Sequence, residues 1–285
     1  MNFGDRVAEA VERKRSCLCV GLDPRIDLLP PEVITGLHSG ASGRARAYER
    51  FCGGVIDAVA DDAVAVKPQV AFFEALGGVG VSALERVCAH ARDAGLLVVV
   101  DGKRGDIDST AEAYADAWLG DRSPLAADAM TAHAYLGLAA LLPLVRLAAA
   151  TGRGVLVVAR SSNPEGRSLQ QAVTAGGPAV EDMLLGEIAA LNGSPDVPAG
   201  TVGAVVGATL EPSVFPLSQL GGVILAPGLG AQGARPEDVA KRFAGCRPGT
   251  VLPSSSRALL TAGPDPVELR RRAAALVREL AAAMG

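Results

Sequence analysis

Residues 96–106 read LLVVVDGKRGD, five apolar residues followed by two aspartates and two basic residues. An apolar run without polar alternation is typical of a strand that is buried on both faces, as in a parallel sheet. The charged residues therefore follow the carboxyl end of the strand, where α/β proteins carry out their chemistry. Asp101 and Lys103 are two positions apart and should point to the same side, with Asp106 in the loop beyond Gly105. We expect the Lys103 ammonium to lie between the two carboxylates.

The composition limits the possible partners and the compartment. The chain has 285 residues, 49% of them hydrophobic, and a net charge of −4, which argues against nucleic acid or an anionic membrane as a general partner. Five scattered cysteines form neither a metal-binding spacing nor a disulfide framework, as expected in a reducing compartment. No apolar run approaches the ~20 residues of a membrane span, and no basic-then-apolar leader opens the sequence. We expect a cytoplasmic protein without a membrane or nucleic-acid partner.

Short apolar runs alternate with helix-like stretches rich in Ala, Leu, Glu and Arg. The predicted strands are 16–22, 63–67, 96–101, 127–132, 154–159, 201–208, 222–226 and 250–252. Eight repeats of strand and helix in about 250 residues are typical of an α/β fold of the (β/α)8 or TIM-barrel type. No Pro/Ser-rich linker interrupts them, so we predict one TIM-barrel domain over residues 1–285. Residues 2–14, apolar at helical spacing, should form an extra helix that closes the bottom of the barrel.

A barrel places catalytic groups at the last residues of its strands and in the loops that follow. Lys67 ends the second predicted strand, next to the strand that ends at Asp101. The two strands can thus contribute an alternating row of ammonium and carboxylate groups fixed by charge-assisted hydrogen bonds. This row would comprise Lys67, Asp101, Lys103 and Asp106. The carboxylates would favour the charged ammonium of Lys103, which keeps it a proton donor.

Glycine-rich and basic residues follow the last two predicted strands. Residues 227–233 read PGLGAQG, and residues 254–257 read SSSR. The three glycines fit the dinucleotide pattern G-x-G-x-x-G, but the acidic residue that this pattern needs about 20 positions later is missing. In a barrel, these two loops form the standard phosphate site, where backbone N–H groups and an arginine bind the anion. We predict that the phosphate-binding residues are Gly228, Gly230, Gln232, Ser256 and Arg257.

Four other polar residues at strand ends are less specific indicators of function. The carboxylate of Asp23 would suit a ribose diol, and Ser162 would suit the polar edge of a base. Asn163, before a proline, is more typical of a helix cap than of a ligand contact. His133 is more typical of a structural histidine. No His, Cys, Asp and Glu set has the spacing of a metal site.

Together, these motifs resemble the orotidine 5′-phosphate decarboxylase family, most closely its longer bacterial branch. The matching positions are Lys67, DxKxxDIxxT at 101–110, SNP at 162–164, PGxGAQG at 227–233 and Arg257. The resemblance covers nearly the whole chain and implies decarboxylation of orotidine 5′-monophosphate to UMP without a metal or organic cofactor. That reaction is the last step of de novo pyrimidine nucleotide synthesis. Residues 131–135, TAHAY, depart from the Asn-Pro-Tyr-like turn expected there, so the resemblance assigns no role to this loop.

The resemblance also implies catalytic roles and an assembly. Lys103 would be the general acid at pyrimidine C6, supported by Lys67 and Asp101. Asp106 and Thr110 would come from the second subunit of a homodimer, so that the active sites lie at the interface.

The resemblance implies binding roles as well. Asp23 would bind the ribose and Ser162 the pyrimidine amide, while Gln232 and Arg257 would bind the phosphate. The loops at 160–168 and 227–236 would close over the ligand, because a phosphate gripped far from the reacting carbon can drive closure.

Three other functions remain open at this stage. Magnesium-dependent sugar-phosphate decarboxylases and aldolases of the same barrel group share DxKxxD, but their metal needs a carboxylate where Lys67 stands. A non-catalytic nucleotide-phosphate-binding barrel would keep the phosphate loop, and a turnover assay would identify it. A nicotinamide enzyme that uses residues 228–233 fits the sequence least well of the three, and cofactor titration would test it.

Overall fold

Within residues 1–29, 40–263 and 265–284, which the computed structural model describes, eight parallel strands form a closed barrel. Each strand pairs with the next along the chain, and the eighth pairs with the first. The strands are β1 (Cys19–Leu22), β2 (Ala65–Pro68), β3 (Leu97–Arg104), β4 (Ala129–Ala132), β5 (Gly154–Arg160), β6 (Val202–Val206), β7 (Ile224–Pro227) and β8 (Val251–Ser255). The predicted (β/α)8 fold is confirmed.

Helices surround the barrel and connect its strands. They are α1 (Phe3–Lys14), α2 (Ala41–Val59), α3 (Val70–Glu74), α4 (Gly78–Asp93), α5 (Asp108–Leu119), α6 (Leu142–Thr151), α7 (Arg167–Gln170), α8 (Val180–Asn192), α9 (Pro236–Arg242), α10 (Arg257–Leu260) and α11 (Pro266–Met284). None of the helices described here combines the length and the apolar character needed to cross a membrane.

The barrel interior explains why the polar residues gather at one end. Ala65 on β2 and Val99 on β3 belong to an apolar cluster inside the barrel. Side chains two positions further along a strand point the same way. Lys67 and Asp101 therefore form the next layer of the interior, at the carboxyl ends of the strands.

The opposite end of the barrel is closed by α1, as the sequence predicts. Phe3, Val7 and Ala10 belong to the same interior cluster as the strand residues. Arg6 forms a salt bridge with Asp128, which immediately precedes β4. The amino-terminal helix thus packs into the bottom of the barrel and leaves the mouth at the other end.

The prediction that the third strand ends at Asp101 is wrong, because β3 continues to Arg104. Its pairing with β4 is irregular: Val100 lies opposite Met130, and Arg104 opposite Ala132. Residues 101–103 are thus all accommodated opposite one residue of β4, in a bulge. The apolar pattern stops earlier than the strand because Asp101 and Lys103 face the polar cavity, while Arg104 pairs with Glu74 and lies over the ring of Trp118.

Candidate active site

A cavity of about 300 Å³ lies at the carboxyl ends of the strands. Most of the predicted site residues line it, namely Asp23, Lys67, Asp101, Lys103, Ser162, Gly228, Gln232, Ser256 and Arg257. Asp106, Thr110 and Gly230 are not among the residues that line this cavity. The barrel therefore brings together groups that are up to 234 positions apart in the chain, from Asp23 to Arg257.

The Asp101 carboxylate is the centre of the polar cluster. Its Oδ2 accepts hydrogen bonds from Lys67 Nζ at 2.7 Å and from Gln69 Nε2 at 3.0 Å. Its Oδ1 accepts from Lys103 Nζ and, at 2.9 Å, from Thr131 Oγ1. The expected arrangement, one ammonium between two carboxylates, is therefore wrong within one chain, where one carboxylate lies between two ammonium groups.

The charges in this cluster stabilise one another. Burial alone would raise the pKa of Asp101, but the ammonium groups of Lys67 and Lys103 outweigh it and hold this pKa well below its usual range. Burial opposes the charged form of Lys67 as well, yet the carboxylates of Asp101 and Asp23 raise its pKa. The buried charges of Lys67 and Asp101 therefore persist through the neutral pH range.

Asp106 and Thr110 lie outside this cluster. The Asp106 carboxylate accepts a hydrogen bond from the backbone N–H of Ile107 at 2.9 Å, and Thr110 is exposed on α5. Among the described residues, Asp106 forms no salt bridge with Lys103. The role that the family resemblance gives both residues, in the site of a second subunit, remains a prediction.

Asp23 occupies the mouth of the cavity between β1 and β8. Ser256 Oγ donates to Asp23 Oδ2, whereas Asp23 Oδ1 is buried and has no hydrogen-bond partner in the part of the chain that the structure describes. Gly21 permits this close approach, because a Cβ at that position would lie 2.7 Å from Ser256 Cβ. A buried oxygen without a hydrogen-bond partner costs free energy, so this oxygen is suited to accept a hydrogen bond from a hydroxyl group of a ligand.

The glycine-rich loop after β7 shows why only some of its predicted contacts reach the cavity. The N–H of Gly230 donates to the carbonyl of Ala234 at 2.8 Å. Gly230 has a φ of 79°, and a Cβ there would lie 2.6 Å from Ala258 Cβ. Gly230 therefore serves the turn and its packing rather than the anion, whereas Gly228 lines the cavity.

Arg257 and Gln232 offer donors at this end of the cavity. Arg257 begins α10 and is exposed, and its guanidinium has no hydrogen bond or salt bridge to any other described residue. Gln232 Oε1 accepts a hydrogen bond of 2.6 Å from Ser162 Oγ, which leaves the amide nitrogen of Gln232 as its donor. The guanidinium and the amide can both bind an anion.

Two residues that contact Asp101 escaped the sequence analysis. Gln69 lies two positions after Lys67. If the alternation of side-chain directions along β2 is continued past Pro68, it places Gln69 on the same side as Lys67, and this was the signal that could have identified it. Thr131 was noted only as part of the TAHAY stretch, because a threonine in a strand is ordinary.

Two other polar residues at strand ends do not serve the cavity. Arg160, at the end of β5, is buried and pairs with Glu181, with 2.9 Å between Arg160 Nε and Glu181 Oε2. Burial, then the charge of Lys103, lower the pKa of His133, and its backbone N–H donates to the carbonyl of Arg104 at 2.9 Å. Arg160 therefore fits a structural role, whereas the side chain of His133 is exposed.

The closed parallel barrel, with a lysine–aspartate cluster on one side of its mouth and Gly228 and Arg257 on the other, makes this protein a (β/α)8 barrel with a polar cavity at the carboxyl ends of its strands. Residues 16–273 match the model of the orotidine 5′-phosphate decarboxylase / HUMPS family, and the chain belongs to this family.

Individual relatives cover almost the whole chain. The orotidine 5′-phosphate decarboxylase of Salinispora tropica is 46% identical over 283 residues, which are 99% of this chain and 98% of the relative. A crystal structure of a candidate orotidine 5′-phosphate decarboxylase from Streptomyces avermitilis superposes with a TM-score of 0.87 at 43% identity, covering 100% of this chain and 96% of that one. The Leishmania donovani OMP decarboxylase gives a TM-score of 0.75 at 30% identity, covering 100% and 99%. The family resemblance found in the sequence is confirmed.

Proposed function

We propose that this protein is a carboxy-lyase that converts orotidine 5′-monophosphate to UMP and CO2, the final step of UMP biosynthesis. Family membership and relatives of that name over nearly the full chain support this activity. The observation that most directly supports it is the Asp101 carboxylate, whose two oxygens accept from two ammonium groups, an amide and a hydroxyl at the mouth of the barrel.

The chemistry requires a fixed positive charge and a proton at one carbon. When CO2 leaves pyrimidine C6, the electron pair of the broken bond stays on an sp² carbon and cannot delocalise. The Lys103 ammonium, held by Asp101, can stabilise this pair and give it a proton, which completes UMP. Lys103 then regains its proton from water. Lys67 supports the same carboxylate from the other side.

The same contacts argue against the magnesium-dependent members of the family. A magnesium ion requires several oxygen ligands in octahedral geometry. Asp101 could serve it only by giving up its hydrogen bonds to Lys67 and Lys103, and the two ammonium groups would repel the ion. The donors around Asp101 therefore favour the metal-independent reaction.

Substrate binding is proposed to extend across the cavity. Asp23 Oδ1 would accept a ribose hydroxyl, and Ser162 would bind the pyrimidine amide. Gln232 and Arg257 would bind the phosphate, with Gly228 and Ser256 beside them. The residues at both ends line one cavity, as a single nucleotide requires.

A turnover assay with metal-stripped protein tests this function. Purified protein treated with EDTA should consume orotidine 5′-monophosphate, measured as loss of its absorbance, at the same rate as untreated protein. An inactive stripped protein that Mg²⁺ restores would identify the magnesium-dependent relative instead. Binding of UMP without any turnover of the substrate would identify a non-catalytic nucleotide-binding barrel.

We also propose that the protein is a homodimer whose active sites share residues. Asp106 has no lysine partner among the residues that the structure describes, and Ile107 beside it exposes an apolar side chain, as do Tyr135 and Leu136 in the loop after β4. A second copy packed against this edge would cover these side chains and bring Asp106 to the other site, in a two-fold arrangement.

The five cysteines support a cytoplasmic location. All of them are free thiols, and unpaired thiols are typical of proteins from reducing compartments.

Mixing two inactive variants tests the shared site. Lys103→Ala and Asp106→Ala should each be inactive, and after dissociation and reassembly each mixed dimer should hold one intact site. Random pairing should restore roughly a quarter of wild-type activity. If Asp106 serves its own chain, every site keeps a defect and no activity returns.

A further inference from the structure

Thr131 is a buried residue of β4 whose hydroxyl joins two parts of the catalytic cluster. Its Oγ1 accepts a hydrogen bond from the backbone N–H of Lys103 at 3.0 Å. The same oxygen donates to Asp101 Oδ1 at 2.9 Å. A hydroxyl carries one hydrogen. Because the backbone N–H can only donate, the hydroxyl directs its own hydrogen to the carboxylate.

The bulge in β3 explains why a side chain is needed at this point. Residues 101–103 lie opposite Thr131 alone, so β4 has too few backbone carbonyls to pair with all of them. Lys103 also has a φ of 45°, in the left-handed region that is unfavourable for any residue other than glycine. Such a conformation persists only where surrounding contacts hold it.

The bulge has a direct effect on the catalytic groups. It allows the Lys103 ammonium to fold back onto Asp101, two residues away in the chain. If the backbone of Lys103 relaxed, the ammonium would shift relative to the carboxylate and to the reacting carbon.

We propose that Thr131 is a positioning residue, whose hydroxyl holds the bulge of β3 and thereby aims the Lys103 ammonium at the substrate. This inference rests on the proposed role of Lys103. Thr131, in β4, is the first residue of the TAHAY segment that departs from the family pattern, and the proposed phosphate and ribose contacts lie elsewhere in the cavity.

Kinetics of Thr131→Val and Thr131→Ser test the proposal. Valine keeps the shape of the side chain but removes the hydroxyl, so kcat should fall roughly 10- to 100-fold while KM changes little, as expected for a misplaced catalytic group. Serine retains the hydroxyl and should restore most of kcat. Rates are normalised to folded sites by titration with UMP, and Thr151→Val, which removes a hydroxyl bonded within α6, is the matched control.

Hydrogen exchange at the Lys103 amide gives a readout that does not depend on turnover. The exchange should be faster in Thr131→Val and near wild type in Thr131→Ser. A Thr131→Val protein with wild-type kcat, or an equal loss of kcat in the two variants, would overturn the proposal. Normal turnover by Lys103→Ala would instead refute the proposed function on which it rests.

Discussion

The two sides of the cavity differ in how far their polar groups are paired within the chain. Around Asp101, the ammonium, amide and hydroxyl groups are bonded to one carboxylate. At the opposite side, the guanidinium of Arg257 has no partner among the described residues. The side proposed to perform the chemistry is thus assembled in advance, whereas the side proposed to bind the phosphate has a guanidinium that can pair with a ligand.

This difference indicates a division of labour. A preassembled cluster need not reorganise as charge develops during the reaction, which is the main source of electrostatic catalysis. An unpaired arginine gains its partner only on binding, so its energy can be used to close loops over the substrate. Substitutions on the two sides should therefore change different kinetic parameters.

The largest effect is expected from Lys103→Ala. The substitution removes the proton donor and the charge facing the carbanion, so kcat/KM should fall by more than the ~10³ typical of losing one oxyanion donor. Affinity for UMP, measured by calorimetry, should change little because the phosphate side is intact. Lys241→Ala on the outer helix α9 is the control. Near-normal turnover in Lys103→Ala would contradict the proposed mechanism.

A smaller effect is expected from Arg257→Ala. Loss of a charged hydrogen-bonding group should weaken UMP binding by about 1.5–3 kcal/mol and should lower kcat/KM as well. Arg247→Ala is the matched control, since this exposed arginine precedes β8 at the other end of the barrel. Unchanged UMP affinity in Arg257→Ala would show that the phosphate binds elsewhere.

The smallest effect concerns stability in acid. Because the pKa of Asp101 is lowered, its carboxylate contributes stability that is fully present above the unfolded pKa of about 3.9 and is lost as pH falls through the folded value. The difference in unfolding free energy between wild type and Asp101→Asn should be constant from about pH 5 to 8 and should narrow by about 0.7 kcal/mol at pH 3.5. Urea unfolding at each pH measures it. A difference that does not narrow would mean that Asp101 is not held ionised by the lysines.

Much of the barrel could be predicted from the apolar runs, because strands buried on both faces have a nearly continuous apolar sequence. The bulge in β3 could not be predicted in this way, because the register of the strand depends on contacts with β4 that the local sequence does not show. The charged residues of the site were predictable because burying a charge at a strand end is costly unless the charge has a partner or a function. Gln69 and Thr131 are neutral, so no buried charge distinguishes them in the sequence, and the internal hydrogen bond of Gly230 is visible only once the loop is folded.

The hydrogen bond between Ser162 and Gln232 ties the loop after β5 to the loop after β7. Each loop on its own would sample many conformations, and binding would have to arrest both. Joined through these two side chains, they lose part of that conformational entropy before any substrate arrives. While this hydrogen bond persists, the two loops should open and close as a single unit.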